Sequence, residues 1–477
     1  MSDSLEFLFH PRSIALPGIT ISNPDHWTRT FLNSLLEIQF EGSIYPINPK
    51  GGEIQGLKVF RSLEDISGTI DYAISTVPAR AAPKLVEECA HKGVKSIHFC
   101  TAGFSETGEK ESVKLEAELA QLATQTGIRI IGPNCMGIYC PKARLSFNED
   151  FPRESGSVGY ISQSGGNTTQ VIRQAMWRGV RFSKAISYGN ACDLNESDFL
   201  EYLTYDPDTR IIALYIEGVK DGERFRQALR EATKAKPVVL LKGGVTKAGT
   251  RAVAGHTGAL AGSEATWNAL CNQLGIIRVH SLEELVDVLV TFSFIRSPGG
   301  RNVALLGFGG GASVLITDEF ETRGLAVPPL PQELRSQIEE FTPLAGNILR
   351  NPIDYSQVME SDKMVKLIDI ISEWDEIDIL VEFLRLTQAP PSAKATRAQT
   401  IEKMFEVSKT ASKPVATVIE PGILPEEAKE SFIAIQKLVS LGLPVYYSFT
   451  SAANALSVYL SYQEREFGNR GTRRHNR

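Results

Sequence analysis

Short apolar runs recur along the chain, separated by longer stretches of mixed polarity with helical periodicity. In the first third the runs are Ser13-Ile14-Ala15-Leu16, Ser43-Ile44-Tyr45-Pro46-Ile47, Tyr72-Ala73-Ile74-Ser75-Thr76-Val77, Ser96-Ile97-His98-Phe99-Cys100 and Ile128-Arg129-Ile130-Ile131. Strands that alternate with helices predict crossover connections and a parallel, doubly wound sheet. Ligands of such sheets sit outside the carboxyl ends of the strands. The stretches Gly18 to Ser22, Asn48-Pro49-Lys50, Pro78 and Ala102-Gly103 are therefore expected to line one crevice, suited to a nucleotide-like ligand.

The rest of the chain reads as two degenerate copies of one α/β unit. Val158-Gly159-Tyr160-Ile161-Ser162-Gln163-Ser164-Gly165-Gly166, a helical stretch and Arg178-Gly179-Val180 match Val303-Ala304-Leu305-Leu306-Gly307-Phe308-Gly309-Gly310-Gly311, a helical stretch and Arg323-Gly324-Leu325. Gly166 to Gly179 and Gly311 to Gly324 are equally spaced. Further on, the stretch from Ile211 to Glu217 followed by Lys236-Pro237-Val238-Val239 parallels that from Ile377 to Phe383 followed by Lys413-Pro414-Val415-Ala416. After these strands the first copy has His256, whereas the second has Glu420-Pro421-Gly422-Ile423. The cluster from Gly307 to Ala312 formally fits a dinucleotide fingerprint, but Leu325-Ala326-Val327-Pro328 supplies no carboxylate for a ribose, so a nicotinamide cofactor is not expected.

Three features carry candidate chemistry. His256 lies in Gly255-His256-Thr257-Gly258-Ala259-Leu260-Ala261-Gly262, among small residues expected to form a loop that leaves the imidazole open to a ligand or able to act as a nucleophile. A loop histidine without a task has the same surroundings. Ser162-Gln163-Ser164-Gly165-Gly166 follows a strand and opens a helical pattern, so its backbone N–H groups are candidates for a phosphate, or for a plain helix cap. Glu217 ends the strand Leu214-Tyr215-Ile216 and can hold one imidazole nitrogen while the other attacks; a solvated strand-end carboxylate is the plain alternative.

Gly132-Pro133-Asn134-Cys135-Met136-Gly137, Ser162-Gln163-Ser164-Gly165, Ser187-Tyr188-Gly189-Asn190, Tyr215-Ile216-Glu217-Gly218, Gly255-His256-Thr257-Gly258 and Asn351-Pro352-Ile353-Asp354 resemble, in order and approximate spacing, motifs of the nucleoside-diphosphate-forming acyl-CoA synthetases. The chain is similar to their α subunit, a relative of the succinyl-CoA synthetase α subunit, from about Leu8 to about Tyr462. The resemblance implies three doubly wound parallel-sheet domains. A Rossmann-like CoA-binding domain is expected at 1–138, a flavodoxin-like domain bearing a phosphohistidine at 139–297, a degenerate second flavodoxin-like domain at 298–465, and a disordered basic tail at 466–477. It implies that Gly18, Ile19, Thr20, Lys50, Val77, Pro78, Ala102, Asn134 and Cys135 serve CoA, that Ser162 to Gly166 hold phosphate, and that His256 and Glu217 are catalytic. Acyl-CoA and phosphate would give acyl phosphate, then phosphohistidine, then nucleoside triphosphate, with only the middle unit carrying the phosphoryl group.

The resemblance weakens at one point. Ile19-Thr20-Ile21-Ser22-Asn23-Pro24-Asp25-His26-Trp27-Thr28 stands where the family offers small residues, then a lysine and a glycine, so the pocket is expected to be reshaped there. A small buried thiol is the commoner reading of Cys135, a solvated surface lysine is the alternative for Lys50, and a structural turn fits Asn351 to Asp354 at least as well as an active-site contact.

Length and composition agree with these expectations. A chain of 477 residues accommodates about three domains. A net charge of -6 gives no reason to expect nucleic acid or an anionic membrane as partner. The six cysteines lack metal-ligand spacing, and no basic and apolar signal opens the chain, so a cytoplasmic protein with free thiols is expected. No GxxxxGK[ST] loop is present. Mg and ADP or ATP are accordingly expected on a separate β subunit with an ATP-grasp fold. The competing class is a non-catalytic CoA sensor or scaffold, which the altered Gly18 loop favours and the paired Glu217 and His256 oppose.

Overall fold

The computed structural model describes residues 5–257, 262–296, 298–307, 309–342, 348–354, 361–384, 402–403, 406–408, 410–422 and 424–475. Its first sheet holds β1 (Ser13–Pro17), β2 (Ser43–Ile47), β5 (Tyr72–Ser75), β6 (Ser96–Phe99) and β7 (Arg129–Ile131), all parallel in the order β2-β1-β5-β6-β7. A small hairpin, β3 (Gly52–Ile54) and β4 (Leu57–Val59), follows β2. Successive residues of β6 serve opposite faces. Ile97 joins the cluster with Leu85, Val86 and Leu119 of the helices Ala82–His91 and Lys110–Thr126, whereas His98 meets the Phe31 ring of the helix Thr30–Glu37 edge-on at 5.4 Å. Helices thus cover both faces, as buried parallel strands require.

The second sheet holds β8 (Gly137–Tyr139), β9 (Val158–Ser162), β10 (Phe182–Ser187), β11 (Ile211–Ile216), β12 (Val238–Lys242) and β13 (Ile277–Val279), ordered β13-β12-β11-β9-β10-β8. The third holds β14 (Val303–Leu306), β15 (Ile348–Leu349), β16 (Ile353–Asp354), β17 (Ile379–Phe383), β18 (Val415–Val418) and β19 (Val445–Tyr446), ordered β15-β16-β14-β17-β18-β19. Neither is purely parallel: β8 runs antiparallel to β10, and β15 to β16. A short antiparallel edge strand needs no crossover helix, so the alternation of strands and helices does not reveal it.

The two sheets share one topology, since β14, β16, β17, β18 and β19 occupy the places of β9, β10, β11, β12 and β13. The equal glycine spacing has a conformational cause. The helices Gly165–Trp177 and Gly310–Glu321 are each followed by a glycine in the left-handed region, Gly179 at φ 81° and Gly324 at φ 75°. The later likeness needs a correction of two residues. Ile212 pairs with Val238 and Leu380 with Val415, so Leu380, not Asp378, is the counterpart of Ile212. The sequence match followed apolar content, whereas strand pairing sets register.

The chain forms two compact units. One contains Met1–Arg173 and Arg181–Leu285, with the first two sheets; the other contains Gln174–Val180 and Val286–Arg477, with the third. Within the second unit, Arg178 forms a buried ion pair with Asp287, donates to the Val445 carbonyl at 2.7 and 3.1 Å, and lies over the Tyr447 ring at 5.0 Å. Asn351 is a structural clip there: its amide donates to the carbonyls of Val303 and Pro328, both at 2.9 Å, and its oxygen accepts from Leu305 N–H. The helix Phe449–His475 extends into the stretch after 465 for which disorder was expected, up to the last described residue. Among the described residues no helix is long and apolar enough to cross a membrane.

Candidate active site

In the second sheet the strand order reverses between β9 and β11, so the chain segments leaving these neighbours diverge and open a crevice at their carboxyl ends. Ser162-Gln163-Ser164 leaves β9 and Glu217-Gly218 leaves β11. The side chains of the stretch whose backbone N–H groups were expected to hold phosphate build this turn. Ser162 Oγ donates to the Ser164 carbonyl at 2.9 Å, and Ser164 Oγ accepts from Asn167 N–H at 3.3 Å. Gln163 Oε1 accepts from the N–H groups of Glu217 and Gly218, the latter at 3.0 Å, and so binds the two loops together. Gly165 and Gly166 begin the helix Gly165–Trp177; a Cβ on Gly166 would meet only Ser164 Oγ, at 4.0 Å, which leaves this helix start open.

His256 does not sit in a loop. It lies in the last turn of the helix Lys247–Thr257, because the alanines and lysine of that stretch favour a helix that the glycines only weaken. Residues 258–261, also expected in the loop, lie outside the described residues. His256 Nδ1 is 2.8 Å from Glu217 Oε1 and 3.0 Å from Oε2. The Glu217 side chain is only 3% exposed, while that of His256 is 47% exposed. The hydrogen bond to Glu217 raises the imidazole pKa above 6.5, partial burial opposes it, and the charges of Glu217 and Glu106 add to the rise. With Nδ1 held by a carboxylate, Nε2 is the nitrogen left to react.

Residues not assigned from the sequence complete the arrangement. Tyr215 Oη donates to Glu217 Oε1 at 3.0 Å. A Cβ on Gly243 would stand 2.7 Å from Tyr215 Oη and 3.3 Å from Glu217 Cγ, so only glycine leaves this pair room. Lys242, buried at the end of β12, donates to the Glu217 carbonyl at 2.7 Å and to that of Gly243. Burial pushes its pKa down to about 8 against the attraction of Glu217. Tyr215 and Glu217 stand two residues apart, on one side of an extended strand end, and that spacing was the available signal; Lys242 left none beyond its position after an apolar strand.

The first sheet contributes to the same site. Asn134, in the left-handed region at φ 60°, donates to the His256 carbonyl at 3.3 Å and to Asn190 Oδ1 at 3.4 Å. Asn190 Nδ2 in turn reaches Glu106 at 2.6 Å and Glu116 at 2.8 Å. This chain of amides and carboxylates joins the Gly132-Pro133-Asn134 turn to the backbone of His256.

The first sheet has its own reversal, between β1 and β5. Gly18 adopts φ 93°, and a Cβ there would stand 2.7 Å from Val77 N, so the segments after β1 and β5 touch backbone to backbone. Ile19 is buried, with its carbonyl accepting from Asn48 at 2.8 Å, and Thr20 N–H donates to Thr28 Oγ1 at 3.1 Å. Lys50, Pro78 and Ala102 are exposed, and Val77 is half-buried with its carbonyl held by Thr101 at 2.6 Å. Cys135 is turned inward: its thiol is buried against the Phe99 carbonyl, at 3.7 Å, and burial drives its pKa well above the usual thiol value.

Two sheets of one topology, a histidine held by a carboxylate at the reversal of one and a glycine-tight crevice at the reversal of another define a CoA-ligase-type α/β protein. Residues 12–141 match the family described as a CoA binding domain, and residues 155–292 the family described as a succinyl-CoA ligase like flavodoxin domain. The ADP-forming acetate–CoA ligase II α subunit of Pyrococcus furiosus is 34% identical over 444 residues, 93% of this chain and 94% of that one. The corresponding I α subunit is 34% identical over 469 residues, 97% and 98% of the two chains. The dinucleotide forming acetyl-coenzyme A synthetase 1 of Ca. Korarchaeum cryptofilum, solved with phosphate and ADP, superposes with a TM-score of 0.81 at 31% identity, over 97% of each chain. The chain belongs to the family of ADP-forming acyl-CoA synthetase α subunits, and it is an acid–thiol ligase component. This kinship does not favour the CoA sensor or scaffold.

Proposed function

We propose that His256 is the phosphoryl carrier of an acetyl- or related acyl-CoA synthetase. The observation that carries this reading is the pairing of His256 Nδ1 with both oxygens of a buried Glu217 while half the histidine side chain stays exposed. CoA occupies the crevice between Gly18 to Thr20 and Val77-Pro78, with Lys50 and Ala102 at its rim and Asn134 near its reactive end. Cys135 supports that turn from within. Phosphate attacks the acyl carbon of acyl-CoA; the C–S bond breaks, and acyl phosphate and CoA form. The N–H groups of Gly165 and Gly166, aimed by the Ser162-Gln163-Ser164 turn, hold the phosphoryl oxygens. Nε2 of neutral His256 then attacks phosphorus and releases the carboxylate, while the Nδ1 proton stays shared with Glu217. Positioning and charge stabilisation supply most of the acceleration in such transfers.

The partner is a β subunit with an ATP-grasp fold, which holds Mg and receives the phosphoryl group on ADP, and the assembly works in the cytoplasm. The α-subunit names of the relatives and the ADP in the related structure support this division of labour. The test is labelling of the purified chain with radioactive phosphate in the presence of acetyl-CoA and other acyl-CoAs. Base-stable, acid-labile label that is lost in His256→Asn is expected. Absence of label with every acyl-CoA, with the β subunit present, refutes the reading.

A further inference from the structure

Lys242 takes no part in the reaction just outlined, yet its ammonium is buried beside the residue that holds His256. β11 and β12 are neighbours, with Ile216 in register with Lys242. The Nζ donates to the Glu217 carbonyl at 2.7 Å and to the Gly243 carbonyl, and lies 5.3 Å from the centre of the Trp267 ring of the helix Glu264–Leu274. Glu217 is therefore gripped along its whole length. Gln163 accepts from its N–H, Lys242 donates to its carbonyl, and Tyr215 donates to its carboxylate.

We propose that Lys242 is a positioning residue for phosphoryl transfer: its cation fixes the Glu217 backbone at the strand end and offsets the carboxylate charge, so that the Glu217–His256 pair gives up its proton early enough for Nε2 to react near neutral pH. The inference rests on the reading of His256 as phosphoryl carrier. A buried carboxylate beside an imidazole retains the imidazolium, and a nearby cation weakens that hold. The other charged or titratable groups facing the trio are Tyr215 and Tyr188 at Glu217, Glu106 at His256, and Arg278 and Glu264 at Lys242. Lys242 itself places a cation on Glu217 through a direct hydrogen bond, at 2.7 Å to its carbonyl.

The experiment compares phosphohistidine formation from acyl-CoA and labelled phosphate across pH for the wild-type chain, Lys242→Met, Lys242→Gln and Lys242→Arg, each with its partner subunit. Lys242→Met and Lys242→Gln are expected to slow formation on the order of tenfold to a hundredfold. Their acid limb moves upward by about 0.5–1 unit, as the loss of one close cation requires. Lys242→Arg, which keeps the cation, retains the wild-type limb. Lys242→Gln is included because it keeps a donor to the Glu217 carbonyl should Lys242→Met fail to fold, and the His256 ring titration, followed by NMR, reports the same shift without turnover. A slower variant with an unmoved limb, or a variant with wild-type rate and limb, overturns the proposal. Failure of the wild-type chain to label at all refutes the carrier role of His256 instead, so the two failures are distinct.

Discussion

Glu217 and His256 lie 39 residues apart in sequence, and both carboxylate oxygens of the first come within 3.0 Å of Nδ1 of the second. The carboxylate is buried and the imidazole half-exposed, so their pairing raises the pKa of the histidine above 6.5. Neutral His256, the form that the proposed phosphoryl transfer needs, therefore accumulates as pH rises through that raised value. Glu217→Gln removes the charge and lets the imidazole pKa fall. We expect its acid limb for phosphohistidine formation at lower pH than in the wild type, with a maximum slower by about 10²-fold or more, measured as labelled protein against pH.

The same pairing links stability to pH. A folded pKa raised above the unfolded value contributes stability in full below about 6.5 and loses it as pH climbs through the folded value. The Tm advantage of the wild-type chain over His256→Asn should be largest in mildly acidic buffer and shrink in alkaline buffer. A constant difference across that range would contradict it.

Gly243→Ala tests the room left for the pair. Its Cβ would stand 2.7 Å from Tyr215 Oη and 3.3 Å from Glu217 Cγ, displacing both from His256. Phosphohistidine formation should fall on the order of tenfold to a hundredfold. CoA affinity, measured by calorimetry, should be retained, since the crevice after β1 lies on the first sheet.

Tyr215→Phe leaves one oxygen of buried Glu217 without the hydroxyl it accepts from at 3.0 Å. A loss of about 1–3 kcal/mol in unfolding free energy is expected from denaturant titration. Formation of phosphohistidine should slow as well.

In the second unit, Arg178→Met leaves the Asp287 carboxylate buried and unpaired and removes the donors to the Val445 carbonyl. A cost of about 3–5 kcal/mol is expected, read from denaturant or thermal unfolding. The double variant with Asp287→Leu should recover much of it, because the stranded charge is then gone.

The pattern of apolar runs was enough to indicate a first doubly wound sheet, the duplication of the two α/β units that follow, and the placing of Ser162 to Gly166 and Glu217 at strand ends with His256 after another; the three-domain reading came with the family resemblance. Period, glycine spacing and strand-end chemistry are local properties, legible along the chain. Strand order is not local. The reversal that sets β9 beside β11 is what brings Gln163 under Glu217 and makes its side chain a clip between loops. Pairing of β11 with β12 is what carries the Lys242 ammonium to the Glu217 carbonyl, and packing of the first two sheets in one unit is what brings Asn134 to the backbone of His256. The helical setting of His256 likewise followed from propensity and packing together, against the glycines that suggested a loop. Sequence by itself determined which residues are candidates for the chemistry; the tertiary structure decided which of them hold the others in place, because hydrogen bonds between distant strand ends depend on register and order rather than on composition.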